Sequence, residues 1–95
     1  MATISDGPFE WDVEKAAANV RKHGITFEAA TQVFADPNAY AMSDVLQAER
    51  ALIVGYSFDR LLTVVYIERE PGGILRIISA RKAAREERRI YEEGP

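Results

Sequence analysis

The chain has 95 residues and a net charge of −3, with 28% of its residues charged, which fits one small core of ordinary globular composition and not comfortably two. It has no cysteine and a single histidine, His23, so disulfides, thiolate metal sites, cysteine nucleophiles and multi-histidine metal centres are excluded. No apolar run approaches the ~20 residues needed to cross a bilayer, and Met1–Pro8 lacks the apolar centre of a secretory signal, so a soluble cytoplasmic protein is expected, with residues 1–8 as a flexible arm.

Phe9-Glu10-Trp11 alternates apolar and polar and predicts a short strand. Asp12 is a good N-cap for a helix whose apolar positions are Val13, Ala16, Ala17 and Val20 and whose stop is Gly24. Thr26 caps a second helix, with Phe27, Ala30, Val33 and Phe34 on its apolar face, ended by Asp36-Pro37-Asn38. Ala39–Met42 is a short strand, and residues 43–49 form a polar loop. Ala51–Phe58 and Leu61–Glu68 are two strands joined by a turn at Asp59-Arg60, the second apolar enough on both faces to be central. Glu70-Pro71-Gly72-Gly73 is a turn, Ile74–Ala80 the returning strand, and Lys82–Glu93 a last helix stopped by Gly94-Pro95. This order predicts a single α+β domain over residues 1–95: a short N-terminal strand and two helices, an antiparallel sheet of three to four further strands, and a C-terminal helix.

Charge is segregated along the chain. Residues 1–75 carry a net charge of −5, whereas residues 76–89 carry +4 from Arg76, Arg81, Lys82, Arg85, Arg88 and Arg89 against Glu86 and Glu87. A sequence pI of about 5.1 argues against coating nucleic acid through bulk charge but leaves room for a local anion site. Lys15, Asn19 and Lys22 fall at helical spacing and could hold a phosphodiester backbone; the alternative is a solvated helix face. His23, at the end of that helix, could carry a proton near neutral pH or simply favour the helix dipole. Alternation places Arg76 on a sheet surface with Ile74, Ile78 and Ala80, and Ser79 on the other face with Leu75 and Ile77. Arg81, Arg85, Arg88 and Arg89 align if the last helix begins at the strand end, and Glu87, on the side facing the sheet, needs a cation such as Arg88 or Arg76. Guanidinium groups in such a set suit phosphate and the extra charge of a phosphorane, and the alternative is again a solvated face with internal ion pairs. Trp11 could stack a base or fill the core, and Tyr91 reads as a packing residue with a wet hydroxyl. No carboxylate cluster has metal-ligand spacing, and no cofactor is implied.

Two blocks together resemble the BrnT toxin family. The first is Phe9-Glu10-Trp11-Asp12 with Lys15, Asn19, Lys22-His23-Gly24 and Phe27-Glu28-Ala29-Ala30; the second is Arg76-Ile77-Ile78-Ser79-Ala80-Arg81-Lys82-Ala83 with Glu87-Arg88-Arg89-Ile90-Tyr91-Glu92. Gly55 and Ser57 fit the strand between them. The resemblance implies a RelE-like fold and a metal-independent endoribonuclease toxin of a type II toxin–antitoxin pair. It implies RNA as substrate and a BrnA-type ribbon-helix-helix antitoxin as partner, with operator DNA bound only through the antitoxin and a two-plus-two complex. On this reading Lys22, His23, Arg76, Arg81 and Glu87 are the catalytic candidates. Trp11, Lys15, Asn19, Ser79, Arg85, Arg88 and Tyr91 are the RNA-binding ones. Many relatives carry a basic residue directly after the glycine matched by Gly55, where this chain has Tyr56; if that position holds phosphate in relatives, Arg60 or Arg69 would have to substitute, or activity would be weaker. A non-catalytic RNA-binding module and a pure protein-interaction domain are the rival readings of the same basic surface.

Overall fold

Asp12 ends one strand and caps one helix, and much of the fold is organised around that junction in the computed structural model, which describes residues 2–69 and 73–94. The elements are β1 (Thr3–Asp6), β2 (Phe9–Asp12), α1 (Val13–His23), α2 (Phe27–Thr31) running into a 3₁₀ turn (Gln32–Ala35), β3 (Tyr40–Ser43), β4 (Ala51–Ser57), β5 (Arg60–Glu68), β6 (Leu75–Lys82) and α3 (Arg85–Glu93). The strands form one sheet in the order β1-β2-β6-β5-β4-β3. The pair β2–β6 is parallel and the other neighbours are antiparallel, so the sheet is mixed rather than purely antiparallel. The class is α+β, as expected.

Local chemistry sets the helix ends. The Asp12 carboxylate accepts from the Lys15 N–H at 3.0 Å, and Thr26 Oγ1 accepts from the Ala29 N–H at 3.0 Å. Gly24, at φ 70°, takes the left-handed conformation that closes α1, its N–H donating to the Val20 carbonyl at 2.8 Å. The main core lies between one sheet face and α1–α2: Trp11, Ile25, Phe27, Ala30, Val33, Leu62, Val64, Ile77 and Ala80. Each large apolar side chain buried there contributes ~1.5–3 kcal/mol. On the opposite face Val54, Leu61 and Thr63 are buried, and α3 lies against β4.

Five sequence expectations change. Residues 3–6, read as part of a flexible arm, pair with β2 as an edge strand. On α1 Val13 and Val20 are exposed and Asn19 is the buried residue, because its amide turns inward to bond the Ile25 and Ala80 backbone. The chain does not enter a helix at Lys82. Arg81 and Lys82 stay in β6 opposite Thr63 and Leu62, Ala83 donates its N–H to the Leu61 carbonyl at 3.0 Å, and α3 starts at Arg85. The turn after β4 is centred on Phe58-Asp59, with Phe58 at φ 55°. The alternation along β6 also breaks: Val65 pairs with Ser79 and Tyr66 with Ile77, leaving Ile78 as the extra residue of a β-bulge. The turn read at Glu70-Pro71-Gly72 lies outside the described residues.

Candidate active site

Asn19 joins the end of α1 to the end of β6. Strand β2 pairs with β6 only through Phe9–Leu75 and Glu10–Arg76 and then turns into α1, which leaves the β6 edge open further along. Asn19 fills that gap. Its Nδ2 donates to the Ala80 carbonyl at 2.9 Å, and its Oδ1 accepts the Ala80 N–H at 3.1 Å, as a neighbouring strand would. The same Nδ2 donates to the Ile25 carbonyl at 2.9 Å. Asn19 is therefore buried and satisfied, and it does not form an exposed stripe with Lys15 and Lys22, which both stay exposed. Lys22 and His23 are exposed in the turn after Asn19, and Arg81 follows Ala80 on the strand, so the clamp ties the helix that carries Lys22 and His23 to the backbone of the residue before Arg81.

Arg81 is held from across the sheet face by Glu87 of α3. Glu87 Oε1 accepts from Arg81 Nη1 at 2.8 Å, from Thr63 Oγ1 at 2.8 Å and from the Ala84 N–H at 2.7 Å. Its Oε2 accepts from Arg81 Nη2 at 2.9 Å, and its backbone carbonyl accepts from the Tyr40 hydroxyl at 2.9 Å. The Arg81 guanidinium above all, against the opposing effect of burial and with help from Ala84 and Thr63, pulls the Glu87 carboxyl down to about 2. The cation required by Glu87 is thus Arg81, not Arg88 or Arg76. Arg81 lies on the strand and is not part of one helical row with Arg85, Arg88 and Arg89.

A second carboxylate sits at the other end of β6. Glu10 is 8% exposed, and its Oε2 accepts from Arg76 Nη1 at 2.7 Å and Arg69 Nη1 at 2.8 Å. Those two bonds, Arg69 first, hold its carboxyl below the usual range against burial. Arg76 and Ser79 are half-buried on the same strand.

A third polar centre secures α3. Asp36 Oδ2 accepts from the Tyr91 hydroxyl and the Tyr56 N–H, each at 2.7 Å, while Oδ1 accepts the Asn38 N–H at 2.9 Å. Burial works to raise the Asp36 carboxyl, and these donors together outweigh it. Burial, then the bond to Asp36, pushes the Tyr91 hydroxyl up to about 12. Tyr56 sets its ring edge-on to Tyr91 at 5.4 Å, so this position serves packing of α3. Arg60 is exposed at the start of β5, and Arg69 is bonded to Glu10.

The remaining candidates separate from the site. Trp11 is 1% exposed in the core, packed edge-on against Phe27 at 6.0 Å, and has no face for a base; this corrects its reading as an RNA contact. Arg85 is exposed on α3, and Arg88 approaches Glu92 at 3.7 Å. Among the described residues no three His, Asp or Glu side chains converge as a metal site, and no helix is long and apolar enough to cross a membrane. Asp36, Thr63 and Tyr40 carry no sequence motif of their own, and Glu10 stands out only as a member of the Phe9-Glu10-Trp11-Asp12 block. Glu10 could have been found from its place opposite a strand arginine, but that pairing is known only once β2 and β6 are aligned.

A profile of the family described as "Ribonuclease toxin, BrnT, of type II toxin-antitoxin system" matches residues 11–87. The crystal structure of the Brucella abortus ribonuclease toxin BrnT is similar at 25% sequence identity and a TM-score of 0.66, over 79% of this chain and 94% of that one. Among curated proteins, none is significantly similar to the chain. The matched stretch runs from Trp11 through both strand arginines to Glu87, and the chain belongs to the BrnT family of ribonuclease toxins of type II toxin–antitoxin systems.

Proposed function

We propose that this chain is an endoribonuclease that cleaves RNA without a metal ion, inhibiting translation and growth in the cytoplasm. The reading is supported above all by the Asn19 clamp, which ties α1, the helix carrying Lys22 and His23, to Ala80, the neighbour of Arg81 on β6. In the reaction the 2′-oxygen of the substrate bonds to the adjacent phosphorus and the P–O5′ bond breaks. The products are a 2′,3′-cyclic phosphate and a 5′-hydroxyl. A proton leaves the 2′-hydroxyl and one is delivered to the 5′-oxygen; the His23 imidazole is the side chain that carries them on this reading. Arg81 neutralises the phosphorane, and Lys22 and Lys15 attract the backbone. Glu87 does not move protons on this account. Its carboxyl is held at about 2 and both oxygens already accept hydrogen bonds, so it acts through Arg81 as a positioning residue.

A ribbon-helix-helix antitoxin of the BrnA type would silence the enzyme and supply the DNA contacts, in a two-plus-two complex. The occupied guanidinium of Arg81 favours one other reading, a non-catalytic RNA-binding module in which Arg81 only anchors α3. Induced expression with RNA-end mapping separates the two. The ribonuclease reading predicts growth arrest and new RNA ends, both suppressed by the co-expressed antitoxin. It also predicts a loss of about 10²–10³ in cleavage rate for Arg81→Ala at matched folded protein. Arrest without new ends, or full cleavage by Arg81→Ala, contradicts it.

A further inference from the structure

On a regular strand Arg76 and Arg81, an odd number of positions apart, would point to opposite faces of the sheet. The bulge at Ile78 cancels that alternation. Arg76 pairs with Ile67, Ser79 with Val65 and Arg81 with Thr63, and those three β5 residues share one face; Ile77 and Ala80 both turn into the core on the other. Bulges are commonly placed where a strand must re-aim a functional side chain. Here the bulge lines up two arginines with Ser79 between them.

Each arginine is also gripped at one edge by a carboxylate on its own side of the sheet. Glu10 holds Arg76 at 2.7 Å, and Glu87 holds Arg81 at 2.8 and 2.9 Å. Both keep surface to offer: the Arg76 side chain is 24% exposed and that of Arg81 35%. Arg69 Nη1 also bonds Glu10, at 2.8 Å, so one carboxylate joins two guanidinium groups at this end of the strand. Along the strand the two arginines are roughly 15 Å apart. That is too far for one phosphate and suits two phosphates of one extended backbone.

We infer that Arg76 is a second phosphate subsite, holding a backbone phosphate about two nucleotides along the strand from the scissile one at Arg81, and that Glu10 is a positioning residue that aims Arg76. The inference rests on the ribonuclease reading for the role of Arg81, and it specifies the substrate as single-stranded RNA long enough to span both arginines. Arg76 then contributes to binding and register rather than to the chemical step.

The test uses two measurements on the full chain. The first is binding of a fluorescent, non-cleavable 2′-O-methyl oligonucleotide of about ten nucleotides across a salt series. Arg76→Ala should weaken binding about tenfold and lower the slope of log K against log salt by about 0.7, one phosphate contact on a single strand. Glu10→Gln should weaken binding while keeping the slope, because the charge at position 76 remains. The second is cleavage kinetics. Arg76→Ala should raise KM on a long RNA far more than it lowers kcat, and should lose less against a dinucleotide with a single phosphodiester than against the long RNA. Arg76→Gln serves in its place if thermal melts show Arg76→Ala unfolded.

An unchanged slope and affinity overturn the inference. So does an equal fall in kcat on both substrates, which would put Arg76 at the scissile phosphate. Loss of antitoxin binding with RNA binding intact would make the face a protein-docking surface, and also overturns it. An unsubstituted chain that binds but cleaves nothing contradicts the ribonuclease reading, and the salt slope still decides the role of Arg76.

Discussion

Replacing Glu87 by Gln should unlock α3. The carboxylate takes four hydrogen bonds, two from Arg81 and one each from Thr63 and the Ala84 backbone, while α3 has no buried residue among those described. Polar anchors therefore do the work that apolar burial does for α2. Holding the carboxyl at about 2, against an ordinary 4.5, corresponds to ~3 kcal/mol of preference for the charged, folded form. Glutamine keeps one acceptor but turns an N–H donor toward Arg81 Nη2, so about 2–3 kcal/mol should be lost at pH 7. In a domain of this size that lowers Tm by roughly 10–20 °C. The pH dependence has a definite sign. The unfolded chain binds the Glu87 proton more tightly, so the stabilisation is complete above about 4.5 and fades as pH falls toward about 2. Urea melts of both chains from pH 7 down to about 2.5 should show the gap shrinking across that window. Equal stability at pH 7, or a gap that does not change with pH, would refute the anchoring role.

Asn19→Ala leaves the Ala80 N–H and the Ala80 and Ile25 carbonyls without their partner, and should cost about 2–4 kcal/mol by urea denaturation. A loss below about 0.5 kcal/mol would show that water replaces the amide without penalty. Gly55→Ala would place a Cβ 2.9 Å from the Ala39 Cβ and 3.1 Å from both Asp36 Oδ2 and Val33 Cγ1, so destabilisation of about 1–3 kcal/mol is expected from the same assay. His23→Gln should slow RNA cleavage by about 10²–10⁴ at matched folded protein; an unchanged rate returns His23 to a helix-end role.

The parts of the fold written in short-range chemistry were legible from the sequence. Asp12, Gly24 and Thr26 act locally, and each sets its helix end where the spacing puts it. The same holds for Phe27, Ala30 and Val33, whose spacing marks a buried face. What could not be read depends on partners distant in sequence. Arg81-Lys82-Ala83-Ala84 suits a helix by composition, yet cross-strand bonding to Leu62 and Thr63 keeps its first two residues in the sheet. Asn19 looked like a surface amide because its partner, Ala80, lies 61 residues away. The face shared by Arg76 and Arg81 depends on one unpaired residue in β6, and alternation alone predicts the opposite arrangement for Ser79. At the candidate site, the types Lys22, His23, Arg76, Arg81 and Glu87 were found from charge patterning and family resemblance. The grips of Glu10 and Glu87 emerged only with the sheet.

If RNA is cleaved by attack of the 2′-oxygen, with Arg81 stabilising the transition state, the products carry the signature of that route. The most direct measurement is mass spectrometry of the products formed from a defined RNA oligonucleotide by the purified chain in excess EDTA. The account predicts a 2′,3′-cyclic phosphate on the upstream fragment and a 5′-hydroxyl on the downstream one, with cleavage slowed about 10²–10³ by Arg81→Ala. No cleavage until magnesium or manganese is added, or products bearing a 5′-phosphate, would contradict it.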